Sequence, residues 1–195
     1  MRRRPRLLIA LGILVLASAL AVLNVWPQLW QINGEDGTYS MAPTLPPCNG
    51  QVLVEGFSYK FRDPHRGEIV MFHARGSIGG AIVPAADTHQ LQINKRIVAL
   101  PGDTVVGRAG RVYVNGRKAD DIPTERFHAV RLGPKQYFVL GDNRSVSYDS
   151  REFGPVPRGA IYARVILNVW PLGRFGVPQY NKKSRPPGRL CGARP

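Results

Sequence analysis

Three polar stretches stand beside apolar runs in this chain, and each holds residue types that can do covalent or acid-base chemistry. The first is Thr38-Tyr39-Ser40-Met41-Ala42-Pro43-Thr44-Leu45. The second places Lys95 and Arg96 inside INKRIVALPGD, and the third is GDNRSVSYDSREFGP, from Gly141 to Pro155. No G-x-S-x-G elbow, H-E-x-x-H, P-loop or G-x-G-x-x-G at a strand-to-helix turn accompanies them, so the enzyme classes built on those motifs lose support. His65, His73, His89 and His128 never stand at zinc-ligand spacing with one another or with Cys48 and Cys191, and a structural metal is not expected.

A serine hydroxyl attacks a peptide carbonyl only when a neighbour accepts its proton, and no histidine here sits in a triad context. A neutral lysine can take that role. At its ordinary pKa of about 10.4 only around one lysine in a few thousand is neutral at pH 7, so the site must lower that value by several units. Burial against apolar groups supplies shifts of up to about 3 to 5 units, and Lys95 lies between Ile93 and Ile97-Val98-Ala99-Leu100. The chain uses 21 arginines and 6 lysines, and because arginine cannot lose its proton, a lysine inside an apolar strand hints at a titratable amine. Plainer readings stand beside this one. In isolation Lys95 is a lysine snorkelling from an edge strand, Ser40 a turn residue, and Asp149 with Arg151 an ordinary ion pair.

The elements that must position these residues are strands. Beyond Gly34 the chain is a series of short apolar runs separated by Gly, Pro, Asn and Asp, which reads as a mostly antiparallel β body, sheet-like or barrel-like. Strands are expected at 51–55, 68–72, 91–100, 104–106, 111–114, 137–140 and 161–167. Asn115-Gly116 marks a hairpin, and Pro101-Gly102-Asp103 and Gly141-Asp142-Asn143 mark turns. No long amphipathic helix is expected past residue 35, and residues 74–88 read as a flexible Gly/Ala-rich loop.

Ahead of the body, residues 7–26 carry no charge, and about 20 helical residues span the hydrocarbon core of a bilayer. Arg2, Arg3, Arg4 and Arg6 precede the run and Trp26 and Trp30 follow it. This is the pattern of a cytoplasmic amino terminus, one transmembrane helix and an outer aromatic belt. A cleaved secretory signal ending near Ala19-Leu20-Ala21 is the competing reading, and both export the body. Domains are expected at 1–33 (basic terminus and anchor), 34–179 (catalytic body) and 180–195 (basic, disordered tail). The net charge of +14 is concentrated at the two ends, which favours anionic lipid over nucleic acid as partner.

In this order and behind one apolar span, S-M-x-P-T, K-R-x-V-x-L-P-G-D and G-D-N-R-x-x-S-x-D-S-R-x-F-G resemble the bacterial type I signal peptidases, Ser/Lys dyad proteases, from about Thr38 to Pro171. The resemblance implies a membrane-bound endopeptidase, without cofactor or metal, that removes signal peptides from exported preproteins after small-residue sites, in contact with the lipid bilayer and near the secretion translocon. It implies Ser40 as nucleophile and Lys95 as general base. The Ser40 amide and the Thr38 hydroxyl would form the oxyanion hole, Ser147 would bond and aim the lysine, and Asp142, Arg144, Asp149 and Arg151 would be structural charges.

Three departures qualify the pattern. Thr38 replaces a serine found in some relatives, Asn94 stands where an apolar residue is common, and the large inserted second domain of some members is missing between Lys95 and Gly141. Two rivals remain at this level: a conjugative-transfer branch of the same family that processes pilin-like substrates, and a non-catalytic membrane-tethered β domain that binds peptide or polyanion.

Overall fold

The computed structural model describes residues 28–32, 38–46, 50–74, 77–78, 81–82 and 91–180. In chain order the strands are β1 (Gln28–Ile32), β2 (Gly50–Glu55), β3 (Ile69–Ala74), β4 (Ser77–Ile78), β5 (Ala81–Ile82), β6 (Leu91–Ala99) and β7 (Thr104–Arg108). They continue with β8 (Arg111–Val114), β9 (Arg117–Lys118), β10 (Phe127–Arg131), β11 (Gln136–Leu140), β12 (Val156–Pro157) and β13 (Ile161–Trp170). A single α-helical turn, α1, covers Ser150–Phe153. Among the described residues no helix is long and apolar enough to cross a membrane. The apolar run 7–26, both cysteines and the basic tail from 181 lie outside the described residues.

A seven-stranded sheet runs in the order β1-β2-β13-β3-β6-β11-β12, a four-stranded one in the order β10-β7-β8-β9, and β4 pairs with β5. The strand pairs are antiparallel, and the order of the large sheet is linear. The body is thus an open sheet among the described residues, where the sequence allowed a barrel-like one.

The sheet is covered on both faces, and β3 shows why. Four consecutive residues, Ile69, Val70, Met71 and Phe72, are buried, and the period of two sends alternate ones to opposite sides. Val70 and Phe72 join Ile97, Val139, Tyr137 and Phe153 on one face. Ile69 and Met71 join Met41, Leu45, Val52, Val54, Ala163 and Val165 on the other. Removing each such side chain from water stabilises the fold by roughly 1.5–3 kcal/mol. The four-stranded sheet packs Val105, Val112 and Val114 against Val98, Phe138 and Leu140.

The expected strands all form, with β13 running on to Trp170. Asn115 (φ 50°) and Gly116 (φ 80°) make the two-residue turn between β8 and β9, both with the positive φ that a type I′ hairpin needs. Two strands of five residues were not expected. β10 (FHAVR) is exposed along most of its length and has a broken register against β7, so it lacks the alternation that marks a strand. β1 follows directly on the apolar run and is defined by its ladder with β2. Within 74–88, expected as a loop, β4 and β5 pair.

Candidate active site

The site forms where β11 stops. Strand β6 pairs with β3 from Leu91 to Arg96, with Val70 opposite Lys95. On its other side β11 reaches only Arg96, Ile97 and Ala99, ending at the Leu140–Arg96 pair. From Lys95 back towards Leu91, that edge of β6 carries no strand partner among the described residues. Alternation puts Lys95 on the same face as Ile93 and Ile97, within the cluster that holds Val70 and Phe72. Lys95 thus stands on a central strand of the large sheet, at the point where the β11 ladder stops.

Ser40 is delivered to this point by a 3-10 helix, Thr38–Met41, that continues into a turn closed by Ala42 N–H to Tyr39 O (3.0 Å) and Leu45 N–H to Met41 O (3.0 Å). Met41 and Leu45 bury their side chains in the core. That apolar pair explains why the turn that carries Ser40 is held in place. The Ser40 carbonyl accepts from Asn143 N–H at 2.9 Å, which ties the turn to the segment leaving β11.

Lys95 Nζ lies 2.8 Å from Ser40 Oγ and 3.1 Å from the Asn94 carbonyl oxygen, to which it donates. Both Ser40 and Lys95 are 5% exposed. Burial pushes the ammonium down from 10.5 to about 8, against the pull of the Asp149 and Glu152 carboxylates, which favour the charged form. Roughly a tenth of the molecules therefore hold a neutral amine at pH 7, a gain of several hundredfold over an exposed lysine. This is the neighbourhood a Ser/Lys pair requires.

The expected structural charges gather around this pair. Asp142 is buried and accepts a two-pronged bond from Arg96, Nε to Oδ1 at 2.8 Å and Nη2 to Oδ2 at 2.7 Å, and a further bond from the Thr44 hydroxyl. Arg144 spans the Gly141 carbonyl (2.8 Å), Thr124 and Asp120 (2.6 Å). Asp149 caps α1 in a reciprocal box with Glu152, accepts from Gly141 N–H at 2.9 Å, and pairs with Arg151 at 2.8 Å. Arg151 also donates to the carbonyls of Arg144 and Ser147. Arg96, Thr44 and Glu152 were not singled out from the sequence. Thr44 and Arg96 sit inside the same motifs as Ser40 and Lys95, and the spacing of Asp149 and Glu152 is that of a capping box.

Ser147 corrects one expectation. It is buried beside Gly141, yet its hydroxyl makes no hydrogen bond to Lys95 or to any other described group. The ammonium directs its bonds to Ser40 and Asn94 instead. Thr38 begins the 3-10 helix, but its side chain lies outside the described residues.

Comparisons with known proteins show which family the chain belongs to. The family model described as "Signal peptidase, peptidase S26" matches residues 6–170. The chain is similar to "Probable signal peptidase I-2" of Synechocystis sp., 41% identical over 143 residues, covering 71% of this chain and 62% of that protein. It is 37% identical over 142 residues to "Signal peptidase I" of Leptolyngbya laminosa, covering 70% and 68%. A solved structure titled as a signal peptidase I from Enterococcus faecalis V583 is 27% identical, covers 51% of this chain and 94% of its own, and superposes with a TM-score of 0.40. The match to the Synechocystis protein thus spans less than two thirds of that relative's length. A family model that runs through the Ser40 turn, the Lys95 strand and the Gly141–Pro155 segment leaves one conclusion: the chain belongs to the signal peptidase family, peptidase S26.

Proposed function

We propose that this chain is a membrane-bound serine endopeptidase that removes signal peptides from exported preproteins after small-residue, Ala-x-Ala-like sites. Ser40 is the nucleophile and Lys95 the general base. The observation that carries the reading is the 2.8 Å approach of Nζ to Oγ between two buried side chains. In the neutral form Lys95 accepts the Ser40 proton as Oγ attacks the carbonyl. The resulting ammonium hands that proton to the leaving amine, and the freed amine then activates the water that hydrolyses the acyl-enzyme. The Ser40 amide and the Thr38 hydroxyl stabilise the oxyanion.

The open edge of β6 next to Lys95 suits a substrate that adds as an extended strand, paired through main-chain bonds. Contact with a bilayer is supported by Trp170, Leu172, Phe175 and Val177, all exposed on one short segment, since aromatic and apolar side chains beside a basic residue such as Arg174 favour a membrane interface. With residues 1–33 as anchor and a cytoplasmic amino terminus, the body 34–179 stands on the outer face, near the translocon that delivers its substrates, with 180–195 as a basic tail. Sharing a membrane with the precursor raises effective concentration as a tether does.

The test is cleavage of a precursor bearing an Ala-x-Ala site by the full chain in detergent or lipid. Wild type is expected to cut, and Ser40→Ala and Lys95→Arg to fold but remain inert, since arginine cannot give up its proton. Full activity in either variant would overturn the dyad.

A further inference from the structure

We propose that Asn168 and Arg174 are positioning residues that hold the nucleophile turn from behind, by the carbonyl oxygens of Pro43 and Thr44, and so keep Ser40 Oγ on Lys95. The inference rests on the Ser40/Lys95 reading and extends it to a segment that no motif covers. Arg174 lies past residue 170, where the family match ends.

The sequence of β13 raises the question. Its buried positions begin as Ile161, Ala163 and Val165, the register slips between Val165 and Leu167, and the next buried residue is Asn168, 5% exposed. A leucine there would pack without desolvating an amide, so the polar side chain needs a reason. Its Oδ1 has no partner among the described residues, which rules out self-sufficiency as that reason. The side chain directs its bond outward: Nδ2 donates to the Thr44 carbonyl at 3.1 Å.

The backbone of Asn168 builds the second contact. Asn168 N–H donates to Gly176 O at 2.8 Å and Gly176 N–H returns to Asn168 O at 3.1 Å, closing residues 168–176 into a small loop that contains the 3-10 turn Leu172–Arg174. From that turn Arg174 Nη1 donates to the Pro43 carbonyl at 2.6 Å, a charge-assisted bond of the stronger kind. Two consecutive carbonyls, three and four residues beyond Ser40, are thus gripped by one loop. On its other side the turn is tied through Ser40 O to Asn143 N–H and through the Thr44 hydroxyl to Asp142. With both sides held the turn cannot pivot. With the rear released, Ser40 Oγ is free to move off the amine and water can reach Lys95.

That consequence separates positioning from mere stability. A variant that only unfolds more easily loses rate in proportion to its unfolded fraction and leaves the pH dependence of the folded molecules alone. Release of the turn hydrates Lys95, weakens the burial that holds its pKa near 8, and moves the acid limb of the rate profile upward.

The experiment uses the full chain and the same precursor. Arg174→Ala is expected to lower kcat about tenfold, part of the hundredfold that a 1 Å misplacement can cost, with KM unchanged and the acid-limb midpoint raised. Arg174→Lys, which can still donate to Pro43 O, should restore most of the rate, and Asn168→Leu, which keeps the volume but not the donor, should raise the midpoint as Arg174→Ala does. A wild-type kcat and midpoint in Arg174→Ala, or a rate loss matched by the unfolded fraction with the midpoint unmoved, would overturn the proposal. Failure of the underlying dyad is read separately, from an inactive wild type or an active Ser40→Ala.

Discussion

Replacing Lys95 by methionine tests the buried base without any substrate. The two side chains are of similar length, but methionine carries no charge into the site. Burial holds the folded-state pKa of Lys95 at about 8 against an ordinary 10.5. Below pH 8 both folded and unfolded chains carry the proton, and the folded one bears the whole cost of a buried ammonium, roughly 3 kcal/mol for a difference of that size. Between about 8 and 10.5 the folded chain has released the proton while the unfolded chain still holds it, so wild-type stability rises with pH in that window. Relative to Lys95→Met, whose other titrating groups are the same, the wild type should gain about 2.5 kcal/mol in unfolding free energy from pH 7 to pH 10. Urea titrations of both full-length proteins in one detergent, at unit steps of pH, measure this difference directly. The bonds from Nζ to Ser40 and Asn94, lost in the variant, alter the absolute offset but not its slope. A stability difference that stays flat across the window would refute the desolvation of this lysine, and with it the supply of neutral amine at pH 7.

Other expectations follow from the same geometry. The rate of precursor cleavage should climb about tenfold per pH unit below a midpoint near 8, as the neutral fraction of Lys95 does; a pH-rate profile with no inflection below 10 contradicts this. Glu152→Gln keeps an acceptor for the Asp149 amide and removes a carboxylate that favours the charged amine, so the midpoint should fall; an upward move would show that the carboxylate acts otherwise. Gly141→Ala would bring a methyl group against the Ser147 hydroxyl and to 2.5 Å from both Ser147 Cβ and the Ser40 carbonyl oxygen. Clashes of that size force the Ser40 turn to shift, and steady-state precursor-cleavage assays should show kcat reduced about a hundredfold if the shift approaches 1 Å.

The candidate residues Ser40 and Lys95 were legible through the short motifs that hold them. Taken singly, a lysine between Ile93 and Ile97 reads as an edge-strand residue and a serine followed by Met, Pro and Leu as a turn; the three motifs in one order singled them out. The strands were legible for a similar reason, since alternation and turn residues such as Asn115-Gly116 act over a few positions. β10 escaped because its side chains are mostly exposed, so no periodic burial is written into them. The partners of the structural charges escaped for a different reason. Arg96 and Asp142 are 46 positions apart and Arg174 and Pro43 are 131 apart, and no residue states its own distant neighbour.

The sequence alone therefore determined the cast: a serine, a lysine, the acidic and basic residues around them, and an apolar run expected to span a membrane. Only the tertiary structure decided that β11 ends one pair short of Lys95, that the Ser40 turn fills the space beside that end, and that residues 168–174 close it from behind. The reason is physical. Propensity and period act along the chain, whereas the depressed pKa of a base and the reach of a hydroxyl depend on which apolar groups and carbonyls the fold brings from elsewhere.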